Sequence, residues 1–214
     1  MIVAGSDTSA RTLEQSMSLL MNHPEILEKA KIEIDIHVDH NRLVDDSDLP
    51  NLTYIHWIIN ETLRLFPLTP LLLPHYSSQD CTIGGCHVPK GTILFVNAWA
   101  LHRDPTLWEE PTKFKPERFE KERDQGSFKY MPFGVGRRSC PGNHLALRNV
   151  TLALAALIQC FNCEMDESDQ RMVDLTEGEG PVVMHKDKPL HAMCRPRSSM
   201  KDVLQSVNSN VVFD

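Results

Sequence analysis

The first third of the chain carries apolar residues at the spacing of amphipathic helices. The spacing holds over residues 8–21, 25–37 and 54–66. In the first of these stretches, Leu13, Met17 and Leu20 share one face, and the pattern stops just before Pro24. Because a proline favours a helix boundary just before it, Pro24 separates the first helix from the second, and the pattern predicts separate helices in succession.

Beyond Pro67 the apolar residues come in short runs. These runs cover residues 71–76, 81–83, 87–88 and 93–97. Gly84-Gly85 and Pro89-Lys90-Gly91 stand between them, and such residues are common in turns that join strands. The pattern therefore predicts a small sheet.

The second half of the chain combines irregular and helical stretches. Residues 100–132 are rich in proline, charge and aromatic residues without periodicity, so they are expected to be irregular. Residues 145–161 predict a helix with little polar face, which must be buried. Residues 178–181 predict a turn between short extended pieces, and the polar tail from Ser198 is expected to be disordered. The fold class is therefore mainly α with a small β-sheet region, as one domain over residues 1–197 and a tail over residues 198–214.

Composition and charge narrow the class of protein. A chain of 214 residues with 41% hydrophobic residues can fill one core. A net charge of -7 without basic runs argues against nucleic acid or an anionic membrane surface as a partner. No segment reaches the ~18 apolar residues of a membrane span, and the first residues do not form a signal peptide. The 6 cysteines are irregularly placed, so we expect reduced thiols.

The strongest chemical signal is the segment of residues 133–142, directly before the apolar helix. Its sequence is Phe133-Gly134-Val135-Gly136-Arg137-Arg138-Ser139-Cys140-Pro141-Gly142. Glycines let the backbone approach a flat ligand, and the following helix N-terminus favours negative charge on a cysteine sulfur. Taken alone, the segment is more typical of a generic glycine loop whose cysteine merely packs.

Two further motifs have ordinary structural explanations. Glu61-Thr62-Leu63-Arg64 places Glu61 and Arg64 on one helix face, where an exposed ion pair is the usual explanation. Ala4-Gly5-Ser6-Asp7-Thr8-Ser9 precedes a helical pattern, so Ser6 or Asp7 is typical of an N-cap.

Together, and in this order, the motifs resemble those of the cytochrome P-450 family. The matching signature positions are Phe133, Gly134, Gly136, Arg138, Cys140 and Gly142. Pro116-Glu117-Arg118-Phe119 resembles the segment that completes a Glu-Arg-Arg triad, and Ala4 to Ser9 resembles the oxygen-binding groove within helix I. The resemblance implies the C-terminal portion of that fold, from the second part of helix I to the C-terminal β-hairpin. It also implies that the chain opens inside a helix.

The resemblance assigns roles to particular residues. Cys140 would be the thiolate ligand of the iron in haem b. His75 and Arg138 would contact the haem propionates. Glu61, Arg64 and Arg118 would form a buried network with a structural role. Asp7 and Thr8 would deliver protons to iron-bound oxygen.

The implied activity is that of a monooxygenase. Strings such as Asp80-Cys81-Thr82-Ile83-Gly84-Gly85 resemble the plant flavonoid and isoflavonoid hydroxylases. The parent enzyme would hydroxylate a small hydrophobic, phenylpropanoid-type substrate with dioxygen and electrons from NADPH-cytochrome reductase. It would lie on the cytosolic face of the endoplasmic reticulum membrane, whereas this chain lacks the anchor. We expect the isolated chain to be inactive or nearly so.

Three other interpretations stay open. Cys160-x-x-Cys163 with 10 histidines could indicate a zinc module, although no second pair follows. A haem-thiolate isomerase or dehydratase would use no oxygen, and the presence of Asp7 and Thr8 disfavours it. A truncated, catalytically inactive haem-binding fragment is the third.

Overall fold

The computed structural model describes residues 2–121, 128–165, 172–178 and 182–210. The helices are α1 (Ile2–Asn22), α2 (Pro24–His37), α3 (Thr53–Leu65), α4 (Ala98–Leu101), α5 (Arg118–Lys121), α6 (Asn143–Cys160) and α7 (Lys201–Asn210). Short 3-10 turns occur at Leu49–Asn51, Gly136–Arg138 and Ser198–Met200. The helices predicted in the first third are therefore confirmed, with ends shifted by a few residues at most except at the start of α1.

The core lies where α1, α2 and α3 pack against α6. Leu20, Ala30, Ile58 and Leu154 contribute one fully buried side chain from each of these helices. Burial of each large apolar side chain contributes about 1.5–3 kcal/mol, so this four-helix contact stabilises the unit that carries residues 133–142.

The start of α3 is capped by a side chain from the preceding helix. The Glu33 carboxylate accepts from the backbone N–H groups of Tyr54 at 2.6 Å and Ile55 at 3.0 Å. These are among the N–H groups that have no partner within their own helix. Burial raises the pKa of Glu33, the largest influence on it, while the backbone hydrogen bonds oppose the rise.

The strands form two-stranded antiparallel pairs in the part of the chain that the structure describes. They are β1 (His75–Tyr76) with β4 (Ile93–Leu94), β2 (Cys81–Ile83) with β3 (Cys86–Val88), β5 (Phe161–Glu164) with β8 (Met193–Pro196), and β6 (Glu177–Gly178) with β7 (His185–Lys186). The small sheet predicted after Pro67 is present as two separate strand pairs. The predicted turn of residues 178–181 begins at Gly178 in β6, and residues 179–181 lie outside the described residues.

Two of the predicted strands are shorter than the apolar runs. Leu72 has a φ of 51°, which extended backbone does not adopt, so β1 begins only at His75. Asn97 accepts from the N–H of Ala100 and caps α4, so β4 ends at Leu94.

Within the stretch of residues 100–132, the described residues 100–121 and 128–132 are mainly turns and irregular chain, as predicted, apart from the end of α4 and the short α5. Helix α6 is buried along one face only. Ile158 is 1% exposed, whereas Leu145 in the first turn is 62% exposed. The expectation that the whole helix is buried was therefore wrong for its N-terminal turn, which lies beside Cys140.

The C-terminal region differs from the sequence expectations in two ways. Cys163 and Cys194 face each other in the β5–β8 register with a Cα–Cα distance of 4.2 Å and form a disulfide, so the expectation of reduced thiols was wrong for this pair. In the tail expected to be disordered, residues 198–210 instead form a 3-10 turn and α7, with Met200 only 1% exposed, and residues 211–214 lie outside the described residues. None of the described helices is both long and apolar enough to cross a membrane.

Candidate functional site

The loop that carries Cys140 folds back on itself. The Cys140 N–H donates to the Phe133 carbonyl at 2.9 Å, and the Ser139 N–H donates to the Gly136 carbonyl at 3.1 Å. Gly134 and Gly136 have φ values of 68° and 75°, in the left-handed region that favours glycine. The glycines thus allow a tight loop that leaves the Cys140 side chain exposed.

The Cys140 thiol lies at the start of α6. Gly142 is the N-cap residue, so Cys140 comes just before the helix N-terminus, where a negative charge is stabilised. A side chain carbon placed on Gly142 would lie 3.9 Å from Cys140 Sγ. The absence of a side chain there keeps the approach to the sulfur open.

Apolar side chains surround this loop but are not covered. Val135 is 46% exposed, Leu145 is 62% exposed and Leu73 is 64% exposed. Leu72 contacts the loop, because its Cδ1 lies 3.9 Å from the position of a side chain carbon on Gly134. His75 lies exposed on β1, shortly after Leu73.

These features fit a large, flat, mainly apolar ligand that carries a thiophilic metal. The soft sulfur of Cys140 supplies a ligand, the glycines permit close approach, and exposed Arg138 can pair with an acidic edge. The donor set and the open apolar surroundings are therefore compatible with haem.

Glu61, Arg64 and Arg118 meet in the structure. Arg64 donates through Nε to Glu61 Oε2 at 2.7 Å and through Nη2 to Oε1 at 2.9 Å. Arg118 Nε donates to the same Oε1 at 2.9 Å. Because the Glu61 and Arg64 side chains are 0% exposed, the exposed ion pair expected from spacing alone was wrong.

Arg64 also binds the main chain of the irregular segment. Its guanidinium donates to the carbonyls of His102 at 2.6 Å, Pro111 at 2.7 Å and Lys113 at 3.3 Å. These bonds supply the hydrogen-bond donors that a helix or strand would otherwise supply to the carbonyls of this segment, since buried carbonyls require donors.

His102 links this network to the cysteine loop, and sequence reasoning missed it. It is 0% exposed, and its Nε2 accepts from the N–H of Met131 at 3.0 Å. Burial, and secondarily the charge of Arg64, lowers the pKa of His102 to about 4. His102 follows an apolar run within a charged segment, and no spacing or motif marked it.

Asp7 and Thr8 lie within a continuous helix. Helix α1 runs through Gly5 without interruption, so the N-cap interpretation was wrong. Asp7 Oδ2 accepts from Arg11 Nε at 2.8 Å, and the Thr8 carbonyl accepts from the hydroxyl of Thr12 at 2.9 Å. Since α1 packs directly on α6, these residues belong to the element next to the helix that follows Cys140.

A zinc site at Cys160-x-x-Cys163 does not fit the structure. Cys163 is bonded to Cys194, while Cys160 is buried and burial raises the pKa of its thiol. Over the described ranges, no cluster of three or more potential ligands could hold a metal ion.

The chain resembles known proteins over most of its length. The family model of cytochrome P450 matches residues 1–193. The chain is 52% identical over 209 residues to the (+)-piperitol/(+)-sesamin synthase of Sesamum radiatum and 53% identical over 205 residues to an isoflavone 2'-hydroxylase of Glycyrrhiza echinata. These matches cover 98% and 96% of this chain but only 40% of either relative.

The fold also matches solved structures. A zebrafish cytochrome P450 solved with progesterone superposes with a TM-score of 0.81 at 34% identity, over 91% of this chain and 43% of that chain. The family resemblance seen in the motifs and the predicted portion of the fold are thus both confirmed. The chain belongs to the cytochrome P450 family.

Proposed function

We propose that this chain is the haem-binding C-terminal half of a longer haem-thiolate monooxygenase, with Cys140 as the iron ligand. The observation that carries the proposal is the exposed thiol of Cys140, held by a folded-back glycine loop at the start of α6. The share of 40% that the chain covers in its relatives supports a longer parent.

The loop holds haem b in this proposal. Phe133, Gly134, Gly136 and Gly142 shape the surface against which the macrocycle lies, while Cys140 binds the iron. Haem bound there would supply an oxygen-activating iron centre with a thiolate ligand. Arg138 and His75 pair with the haem propionates.

The buried network positions the loop. Arg64 and Arg118 converge on Glu61, and Arg64 holds the carbonyl of His102, whose ring receives the N–H of Met131. Met131 lies just before Phe133. The network thus fixes the chain that enters the cysteine loop, and it takes no part in proton or electron transfer.

Asp7 and Thr8 supply the protons that oxygen reduction consumes. A carboxylate and a hydroxyl on successive residues of α1 can hold and pass a proton. Their presence favours oxygen chemistry over the isomerase or dehydratase interpretation.

The substrate is a small hydrophobic, aromatic molecule of the phenylpropanoid type, which gains a hydroxyl group. Support comes from the relatives, which include an isoflavone 2'-hydroxylase and an isoflavone 3'-hydroxylase. Electrons come from NADPH through NADPH-cytochrome reductase. The parent enzyme acts at the cytosolic face of the endoplasmic reticulum membrane.

A second candidate is a catalytically inactive haem-binding fragment. The exposure of Leu73, Val135 and Leu145 around Cys140 favours it for this chain alone, because exposed apolar clusters usually have a partner. Cys140 is the iron ligand in both candidates. They differ in whether the protein turns over a substrate and not in how it holds haem.

The test is the difference spectrum of the reduced, carbon monoxide-treated protein after reconstitution with haem. We expect a thiolate-type Soret band in the wild type and its loss in Cys140→Ala. Cys86→Ala is the matched control, since Cys86 is an exposed free cysteine on β3. The same spectra are recorded on the longer enzyme, and absence of the thiolate band there contradicts the proposal. If this chain gives the thiolate band but does not turn over substrate, the inactive fragment is favoured for this chain.

A further inference from the structure

Cys163 and Cys194 face each other across the β5–β8 strand pair. They lie directly opposite each other in the antiparallel register. Their Cα atoms are 4.2 Å apart, close to the shorter of the two distances that facing residues adopt in such a pair. The backbone pairing by itself therefore brings the two sulfur atoms within reach of each other.

Other contacts hold the two strands together. The register runs the length of both strands, from Phe161 opposite Pro196 to Glu164 opposite Met193. Just after β8, the Arg197 N–H donates to the carbonyl at the end of α6 at 2.8 Å, and Arg197 Nη2 donates to a carboxylate of α2 at 2.7 Å. When the disulfide opens, the two thiols should therefore stay side by side, ready to bond again.

The two cysteines differ in access to solvent. Cys194 is exposed on β8, whereas Cys163 is partly buried and packs against the hydrophobic core. Exchange between thiols and a disulfide requires that the attacking group reach one sulfur. The Cys194 sulfur meets this requirement, and the Cys163 sulfur is the protected partner.

A second strand pair with two cysteines shows that proximity alone does not give a disulfide. In the β2–β3 pair, Cys81 faces Val88 and Cys86 faces Ile83. Both cysteines are free thiols. The register therefore decides which cysteines can bond, and Cys81 and Cys86 supply an internal control.

The location of the parent enzyme makes an exposed disulfide unusual. Glutathione keeps thiols reduced at the cytosolic face of a membrane, and disulfides that form in that environment are usually transient and redox-sensing. A disulfide that is open to attack and that re-forms without a search through conformations has the properties of this class.

We propose that Cys163 and Cys194 form a reversible oxidation site that exchanges with the glutathione pool. The inference rests on the cytosolic-facing location in the proposed function. In oxidation, the Cys194 thiolate attacks glutathione disulfide, which gives a mixed disulfide and one glutathione. The Cys163 thiolate then attacks the Cys194 sulfur and releases the second glutathione. The cysteine pair gives up two electrons and two protons, and the two glutathione molecules take them.

The chain between the two cysteines docks on α1. Lys186 Nζ donates to the Ser18 hydroxyl at 2.9 Å, and the Leu190 N–H donates to Glu14 Oε1 at 2.9 Å. A disulfide closes this chain into a loop and so lowers the conformational entropy of its undocked state. Oxidation is therefore expected to tighten the docking on α1, and reduction to loosen it.

The first test is a redox titration of this chain and of the longer enzyme. The proteins are equilibrated in glutathione buffers that span the cytosolic ratio of reduced to oxidised form, and free thiols are then alkylated and located by peptide mass spectrometry. Cys163 and Cys194 should pass from dithiol to disulfide within this range, while Cys81 and Cys86 form no bond with each other. A disulfide that persists over the whole range, or a pair that never forms one, overturns the inference.

The second test separates the roles of the two thiols. With glutathione disulfide, Cys163→Ser should accumulate one glutathione on Cys194. Cys194→Ser should react at Cys163 about tenfold or more slowly, because that sulfur is less accessible. Cys86→Ser is the matched control and should keep the wild-type titration. Equal rates at Cys163 and Cys194 contradict the assignment of Cys194 as the attacking thiol.

The third test measures hydrogen exchange of residues 172–178 and 182–193. Exchange should be slower in the oxidised than in the reduced wild type, and Cys163→Ser should show the same exchange in both buffers. Identical exchange in both states of the wild type contradicts the tightened docking. The redox state is read without haem, so a longer enzyme that lacks the thiolate Soret band contradicts only the proposed function. A normal band with a pair that does not titrate contradicts only the oxidation site.

Discussion

Replacement of His102 by glutamine tests how burial controls the charge of this histidine. In the wild type the ring is 0% exposed, its Nε2 accepts from the Met131 N–H, and Nδ1 has no acceptor among the described residues. Glutamine keeps a neutral acceptor but cannot titrate. The variant therefore separates the titration of His102 from the rest of the pH dependence.

The expected magnitude follows from the pKa of about 4 in the folded protein, against an ordinary value of 6.5. Because the folded pKa is lowered, the neutral ring stabilises the fold fully above pH ~6.5, and this contribution is lost as the pH falls toward 4. Linkage gives a loss of about 2 to 3 kcal/mol between pH ~7.5 and ~4.5 from this group alone.

The assay is urea unfolding of wild type and His102→Gln across this pH range. Near pH ~7.5 we expect the variant to be less stable by about 1–2 kcal/mol, because the hydrogen bond and ring packing are altered. The difference should shrink as the pH falls and vanish or reverse by pH ~4.5. Subtracting the free energy of unfolding of the variant from that of the wild type at each pH cancels the titration of the carboxylates that both proteins share.

His40→Gln is the matched control, since His40 is exposed. The stability difference between this variant and the wild type should stay close to zero over the whole range. If the difference between wild type and His102→Gln is also independent of pH, His102 does not titrate as its burial requires, and the reasoning is refuted.

Three further changes test the network, the helix cap and the loop. Glu61→Gln should destabilise the fold by about 3–5 kcal/mol, because it leaves buried guanidinium charge uncompensated, and urea unfolding measures the loss. Glu33→Ala should lower the free energy of unfolding by about 1–2 kcal/mol, because α3 loses its cap. Glu28→Ala is the control and should lower it by almost nothing in the same assay, since the Glu28 side chain is 65% exposed. Gly134→Ala should lower the unfolding midpoint by an amount equivalent to about 1–2 kcal/mol because of the positive φ. Gly142→Ala should leave it unchanged, since φ there is -97° and the added carbon meets Cys140 Sγ only at 3.9 Å.

Much of the fold was predictable because it depends on local pattern. Helices α2 and α3 follow directly from apolar spacing, and the cysteine loop was identified from its glycines and its position before α6. The shortened strands depend on Leu72 and Asn97, whose backbone geometry and capping role no apolar pattern contains.

The remaining features arise from contacts between residues far apart in the chain. Glu33 caps a helix 21 residues away, and Cys163 meets Cys194 across 31 residues only because β5 and β8 pair in that register. His102 obtains its environment from Arg64 and Met131, which belong to other segments. Spacing along the sequence carries no information about such pairings.

The main-chain bonds of Arg64 have a consequence for mutational tolerance. Arg64 contacts the segment of residues 102–113 through carbonyl oxygens, which every amino acid possesses. Side chains at Pro111 and Lys113 can therefore change without loss of these bonds, provided that the backbone path is kept. Arg64 itself has no such freedom, because lysine lacks the planar set of donors that reaches several carbonyls at once. A saturation mutagenesis map should accordingly show a stringent position at 64 and permissive positions at 111 and 113, whereas His102 and Trp108, whose side chains are buried, stay restricted.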